Sequence, residues 1–353
     1  MSDPPTTCLT VIANPDVSGI GVRTAIYAQN LLSFVPVLWA LKDGRITPTE
    51  LDELEKQSTT ILITAFAILI STVIQAYHHG ISNYHASIVL DLSWMNNTNL
   101  FIYFLLYVYH RVHLSEDEFN EEVGLSPGRA RYRADSLSRW IYEANKAFKN
   151  SVIIIGSLHL SLMAAVGIWL WSHPAGFGNS GLCSLSATIS VFGNQIQLGS
   201  RTLRKWSLLV YSTVSVPLLN LFIPMIIFAL PFLILKHIIK PSGNVMFYST
   251  IIGLWTLALI DIILLVDTEV AIKNNTNYFR LSGEAQWTFG QTLALLLLLV
   301  ALRDLGESIL HKRSKWLSDQ LLKASKNGEI ESVKSLLRQG ANPQDACVWI
   351  ALI

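Results

Sequence analysis

Residues 61–77 and 208–235 contain no Asp, Glu, Lys or Arg. A bilayer core about 30 Å thick is crossed by about 20 mainly apolar helical residues. Buried helices of water-soluble domains seldom run that far without a charge. Seven segments of this kind can be drawn: residues 20–41, 60–77, 84–110, 151–171, 208–235, 246–267 and the shorter 287–302. The pattern predicts an all-α integral membrane protein of about seven transmembrane helices, followed by a short helical tail. Composition points the same way, with 51% hydrophobic and only 14% charged residues, where a soluble domain carries about a quarter charged.

The remaining composition removes whole classes of function. A formal net charge of +1 supplies no basic excess of the kind that draws a protein to polynucleotides, so no nucleic-acid partner is expected. Cys8, Cys183 and Cys347 stand far apart without a CxxC pair, which leaves no thiolate zinc site or disulfide scaffold. His78, His79 and His85 lack an accompanying HExxH or comparable ligand set. No aspartate-rich DDxxD motif, phosphate-binding GxxxxGK[ST] loop or GxSxG elbow is present. Neither a metal nor another cofactor is expected.

Orientation follows from the basic residues, because cytoplasmic loops collect Lys and Arg. With the N-terminus outside, 20 of the 26 fall on the cytoplasmic side. That topology makes residues 1–19 lumenal, 20–302 the membrane domain, 112–149 its main cytoplasmic loop, 173–206 a lumenal loop and 303–353 a cytoplasmic tail. It makes Asn274, in the sequon Asn274-Asn275-Thr276, a lumenal glycosylation candidate. No secretory signal peptide is read ahead of the first span, and the endoplasmic reticulum is the expected membrane. Within loop 112–149, residues 134–148 carry Leu137, Trp140, Ile141 and Phe148 at helical spacing, an amphipathic pattern. Cys8 and Cys183 share the lumenal side, which leaves a disulfide open. Pro217, Pro224 and Pro231 recur through the fifth span. Each deletes a backbone donor, so this long span has to tilt or break. Residues 320–344 have the spacing of one ankyrin repeat through Ala324, Gly328, Val333, Leu336, Leu337, Gly340 and Ala341. A lone repeat needs a neighbour, here the membrane domain or the helix before it.

Carboxylates inside a span cost roughly 2.5–3.5 kcal/mol on insertion scales and call for a reason. Asp91 and Asp261 lie within the third and sixth spans, and Asp267 and Glu269 close the sixth. These four are the candidate catalytic acids. For all but Asp261, which four apolar neighbours flank, there is a plainer alternative. Asp91 is equally suited to interhelical bonding with Asn96, Asn97 or Arg23, and Asp267 and Glu269 to ordinary interfacial charge. His159 reads as a hydrogen-bonded core residue, and several of the ten Trp as an interfacial belt.

Three segments carry a family resemblance: Asn14-Pro15-Asp16-Val17-Ser18-Gly19-Ile20-Gly21-Val22-Arg23, Asp267-Thr268-Glu269 with Asn274 and Asn275, and Gly283-Glu284-Ala285-Gln286-Trp287-Thr288-Phe289-Gly290-Gln291. Together they resemble a family of filamentous-fungal multi-pass membrane proteins, one branch of which comprises the membrane-bound terpene cyclases of ascochlorin- and macrophorin-type meroterpenoid pathways. The resemblance implies a lipid-soluble prenylated substrate and a proton-initiated cyclisation that requires no metal. A carboxylic acid shielded from water keeps its proton and can donate it to an alkene or epoxide, while Trp faces stabilise the resulting cation. On that reading Trp94, Trp255, Asn96, Asn97, Trp287 and Gln291 are the substrate-binding candidates, with Trp94 set beside Asp91 and Trp255 paired with Asp261 six residues on. Two alternatives stay open: a non-enzymatic receptor-like or scaffold protein, and a proton-coupled transporter. No internal repeat supports the transporter.

Overall fold

The computed structural model describes residues 13–42, 44, 46–123, 137–179, 185–238, 245–279 and 286–342. Cys8, Cys183, Cys347, the basic cluster at 129–133, Gly283, Glu284 and the tail from Pro343 onward lie outside the described residues. The chain is almost entirely helical. Its helices are α1 (Pro15–Ser18), α2 (Ile20–Leu32), α3 (Phe34–Leu41), α4 (Pro48–Tyr77), α5 (Asn83–Val123), α6 (Leu137–Ala147) and α7 (Ser151–Ser172). After the hairpin β1 (Thr188–Val191) and β2 (Asn194–Gln197) come α8 (Arg201–Thr213), α9 (Phe222–Ile238), α10 (Val245–Phe279), α11 (Phe289–Lys326) and α12 (Ile330–Arg338).

Four stretches among the described residues are long and apolar enough to cross a membrane: Pro15–Leu41, Pro48–Tyr77, Ser151–Ser172 and Val245–Thr276. Local sequence explains where helices start. Pro48 opens α4 behind Thr47, whose backbone N–H donates to Glu50 Oε2 at 2.9 Å while its hydroxyl accepts from the Glu50 N–H, a reciprocal cap that satisfies two orphan donors. Asn150 starts α7 by accepting from Val152 N–H at 2.9 Å.

Helix α5 is the axis of the bundle, packed by α2, α4, α6, α7 and α10. Its apolar residues Ile88, Leu92, Leu100 and Phe104 are buried, and so are Ser93, Asn96, Asn97, Thr98 and Asn99. Successive helical residues point about 100° apart, so the polar run 96–99 reaches around the helix to three neighbours. Asn96 Oδ1 accepts from Asn30 Nδ2 of α2 at 3.0 Å, and Asn99 Nδ2 donates to Asn30 Oδ1. Asn97 Oδ1 pairs with His159 Nδ1 of α7 at 2.9 Å. Thr98 faces Asp261 of α10. A central helix meets protein on every side, so the polar groups of this run find partners without touching lipid.

The segment read as one fifth span, 208–235, is divided in two. Helix α8 ends at Thr213, the chain turns through a short 3₁₀ segment (Leu219–Leu221), and α9 begins at Phe222. Pro217 supplies the cause, since it lacks an N–H and disfavours helical geometry at the residue before it. The backbone groups freed at the break find partners on α7 and on α8's own end. Leu218 N–H donates to Ser157 Oγ at 2.7 Å, and Asn220 Nδ2 donates to the Ser157 and Val214 carbonyls at 3.0 and 3.3 Å. Ser157 Oγ in turn donates to Asn220 Oδ1 at 2.8 Å. The stretch 173–206 is also more structured than a plain loop, because it contains the β1–β2 hairpin and the start of α8.

The chain forms two compact units that divide after Leu298. In the second, the later part of α11 packs against α12 through Leu317, Leu321, Ala341, Val333 and Leu336. Leu317, ahead of the segment 320–344, belongs to that cluster.

Candidate functional site

The first of the three segments that carry the resemblance meets the described parts of the other two, more than 240 residues further along the chain, at one end of the first unit. Gly21 N–H donates to Gln291 Oε1 at 2.9 Å, and Gln291 Nε2 donates to the Gln286 carbonyl at 2.6 Å. A Cβ on Gly21 would stand 2.8 Å from Gln291 Cβ, so the glycine is there for close approach. From the next turn of α2, Arg23 forms an ion pair with Glu269 of α10, its Nε donating to the Ser18 carbonyl at 2.7 Å. Tyr27 Oη donates to the same Glu269 oxygen at 2.9 Å. The junction ties the chain's first helices to two of its last.

Asp267, one step along α10, holds the hairpin. Its carboxylate accepts from Ser190 Oγ at 2.6 Å, Phe192 N–H at 2.7 Å and Gly193 N–H at 2.8 Å. Phe192 and Gly193 both have positive φ, 51° and 78°, the geometry of a two-residue type I′ turn. Two turns further, Asn275 completes the tether: Oδ1 accepts from Thr188 N–H at 2.9 Å and Nδ2 donates to the Thr188 carbonyl at 2.6 Å. Asn275 therefore acts as a surrogate strand residue. Asp267→Ala should free the turn at a local cost of about 1.5–3 kcal/mol, the range for hydrogen bonds to a charged group. Faster amide exchange at Phe192 and Gly193, with slow exchange retained in α5, would register this. Unchanged exchange at both would refute the tether.

Asp261 is 0% exposed and faces Thr98, whose Oγ1 lies 3.0 and 2.9 Å from the two carboxylate oxygens. The same hydroxyl lies 2.6 Å from the Met95 carbonyl. One hydroxyl has one proton to donate and can accept besides, so Thr98 links α10 to the α5 backbone. The sequence reading pairs Asp261 with Trp255. Their separation of six residues puts them about 120° apart on a helix, and Trp255 is 69% exposed on the outer face. Trp255 cannot line a pocket with Asp261.

Asp91 is different. It is half-buried, and no described residue hydrogen-bonds its carboxylate. Trp94 stands one turn away on α5 and meets Tyr211 of α8 with ring centroids 6.3 Å apart. Tyr211 and Asp267 are both within electrostatic reach of Asp91. Tyr211 packs on α7 at Gly167, where a Cβ would lie 2.5 Å from the ring. Asp91 thus stands one helical turn from a Trp94–Tyr211 aromatic pair. Tyr211 escapes notice in the sequence because nothing in its neighbourhood distinguishes it from the aromatic residues of other apolar helices.

Other site candidates are placed elsewhere. Asn96 and Asn97 are occupied by α2 and α7. Trp287 is exposed, with Nε1 donating to Thr292 Oγ1 at 2.9 Å. Asn274 is half-buried inside helix α10, whereas the sequon reading expects a surface loop. His79 Nδ1 lies 2.7 Å from the Gly178 carbonyl and His85 Nδ1 2.7 Å from Ser82 Oγ. No group of three or more His, Cys, Asp or Glu able to hold a metal occurs among the described residues. Comparison of the chain with protein-family models, curated proteins and solved structures finds no match.

Proposed function

We propose that the chain is a membrane-embedded, metal-independent terpene cyclase, with Asp91 the acid that starts ring closure in a lipid-soluble prenylated or epoxyprenylated substrate. One observation carries this reading: among the four candidate carboxyl groups, Asp91 alone is both partly open and without a hydrogen bond from a described residue, and it stands one helical turn from Trp94, whose ring meets that of Tyr211. Transfer of the Asp91 proton to a terminal alkene carbon or an epoxide oxygen leaves a carbocation, which the aromatic faces stabilise. An internal double bond attacks that cation to form the ring carbon–carbon bond, and loss of a proton from an adjacent carbon restores neutrality.

The proposal includes seven spans in the endoplasmic reticulum membrane, a lumenal N-terminus and a cytoplasmic ankyrin-like tail. The 20 of 26 Lys and Arg assigned to the cytoplasmic side support that orientation. Asp91 then faces the lumenal half. Protease added outside sealed microsomes should remove a C-terminal tag and spare an N-terminal one; the reverse pattern would overturn the orientation.

A non-enzymatic membrane protein is the second reading. It is favoured by the structural employment of Asp267 and Glu269 and the complete enclosure of Asp261. The deciding experiment is conversion. Microsomes containing the intact protein should cyclise an epoxyprenylated aromatic substrate, with or without chelator. Failure across prenylated and epoxyprenylated substrates would put the second reading first.

A further inference from the structure

A groove of about 480 Å³ runs among α1, α2, α4 and the first turns of α11. Asn14 Nδ2 donates to Gln75 Oε1 at 2.8 Å and so fixes one end of it against α4. From Gln75 back to Thr64 the lining residues of α4 extend over 11 positions, roughly 16 Å of helix at 1.5 Å per residue. Val22, Ile26, Ile68 and Leu297 make apolar walls, while Ile63, Leu293 and Phe289 are exposed along its rim. Asp91, Trp94 and Tyr211 do not line it.

The polar groups at the two ends are not equivalent. At the α1 end, Gln75 is already bonded to Asn14 and to Ser71, the latter at 3.1 Å. Deeper in, Thr64 Oγ1 donates to its own helix at the Thr60 carbonyl, 3.1 Å away. Gln29 also lines the groove. It is only 4% exposed, and no described residue hydrogen-bonds its side-chain amide. A buried amide with two donors and an acceptor is costly to leave unmet, and apolar walls offer it nothing. Asp16 is the one charged residue among the described residues of the lining, so none of these supplies a cation to hold an anionic head group. An apolar rim where the first, second and last apolar segments converge gives access from lipid. The volume falls in the range of sites that enclose one small molecule.

We infer that this groove binds a neutral single-chain amphiphile taken laterally from the bilayer, with its hydroxyl or carbonyl on the Gln29 amide. The site is separate from Asp91 and does not depend on the proposed chemistry.

The test uses the full chain in nanodiscs with a hexadecanol probe carrying a diazirine and an alkyne. Irradiation should label α2, α4 and the start of α11, and excess unmodified hexadecanol should suppress that labelling. Gln29→Leu should weaken competition about tenfold, the effect of losing a hydrogen bond to a buried amide. Ala294→Trp, which fills the groove from α11, should remove the labelling, whereas Asp91→Asn should leave it unchanged. Label that resists competition, or that persists equally in Gln29→Leu, would be ordinary lipid contact and would overturn the site. If Ala294→Trp does not fold, competition and Gln29→Leu decide the matter by themselves.

Discussion

Microsomes carrying Asp91→Asn should lose cyclised product by about 10² to 10⁴-fold while holding the wild-type amount of protein. That is the range supplied by a positioned general acid. The carboxamide keeps the shape of the side chain and removes the proton to be transferred. No described residue hydrogen-bonds Asp91, so the substitution breaks no described bond and the fold should be indifferent to it. Asp261→Asn is the matched control, because an amide N–H can donate to Thr98 Oγ1 while Thr98 continues to donate to the Met95 carbonyl, 2.6 Å away. Activity should stay within a few-fold. Asp261→Leu should instead lower the unfolding temperature, since it leaves Thr98 facing a buried apolar group. The opposite outcome, with Asp261→Asn inactive and Asp91→Asn active, would move the acid to α10. Trp94→Ala and Tyr211→Ala should slow cyclisation or diversify its products, because a cation without its aromatic face is released early.

The helical membrane character could be read before any coordinates, since charge-free runs of that length have few other solutions. So could the weakness of the fifth span, where Pro217 removes a backbone donor and the helix is broken, although Pro231 is accommodated within α9. The partners at the break could not: Ser157 and Asn220 are 63 residues apart, and nothing local to either announces the other. The carboxylates show the same limit more sharply. Sequence marks a charge inside a span as needing a reason, but the reason lies on a different element each time: a hairpin turn for Asp267, a guanidinium on α2 for Glu269, a threonine on α5 for Asp261. Trp255 shows the converse error. Neighbourhood in sequence placed it with Asp261, and helical phase turned it outward. Gln29 was passed over because an amide beside Asn30 in a helix has no sequence pattern that sets it apart, and only the groove makes it conspicuous.

Glu269→Met should cost about 3 kcal/mol of stability in detergent, more than most single substitutions. The reason is what it leaves behind. Arg23 is 9% exposed, and removing one member of a buried ion pair strands the other at a cost of about 3–5 kcal/mol. Glu269 itself is 43% exposed at its side chain, which places the expected value at the low end. The bond from Arg23 Nε to the Ser18 carbonyl survives but cannot neutralise the charge, and Tyr27 Oη loses its acceptor as well. Arg23→Met alone should cost less, because the remaining carboxylate keeps the Tyr27 hydrogen bond and partial access to solvent. The double variant Arg23→Met/Glu269→Met should recover most of the loss, since replacing both charges with apolar side chains is often close to neutral. Thermal unfolding of the three variants closes a double-mutant cycle whose coupling energy measures the pair. If the single losses simply add in the double variant, Arg23 and Glu269 act independently, and this end of the bundle rests instead on the packing of α2 against α11 around Gly21 and Gln291.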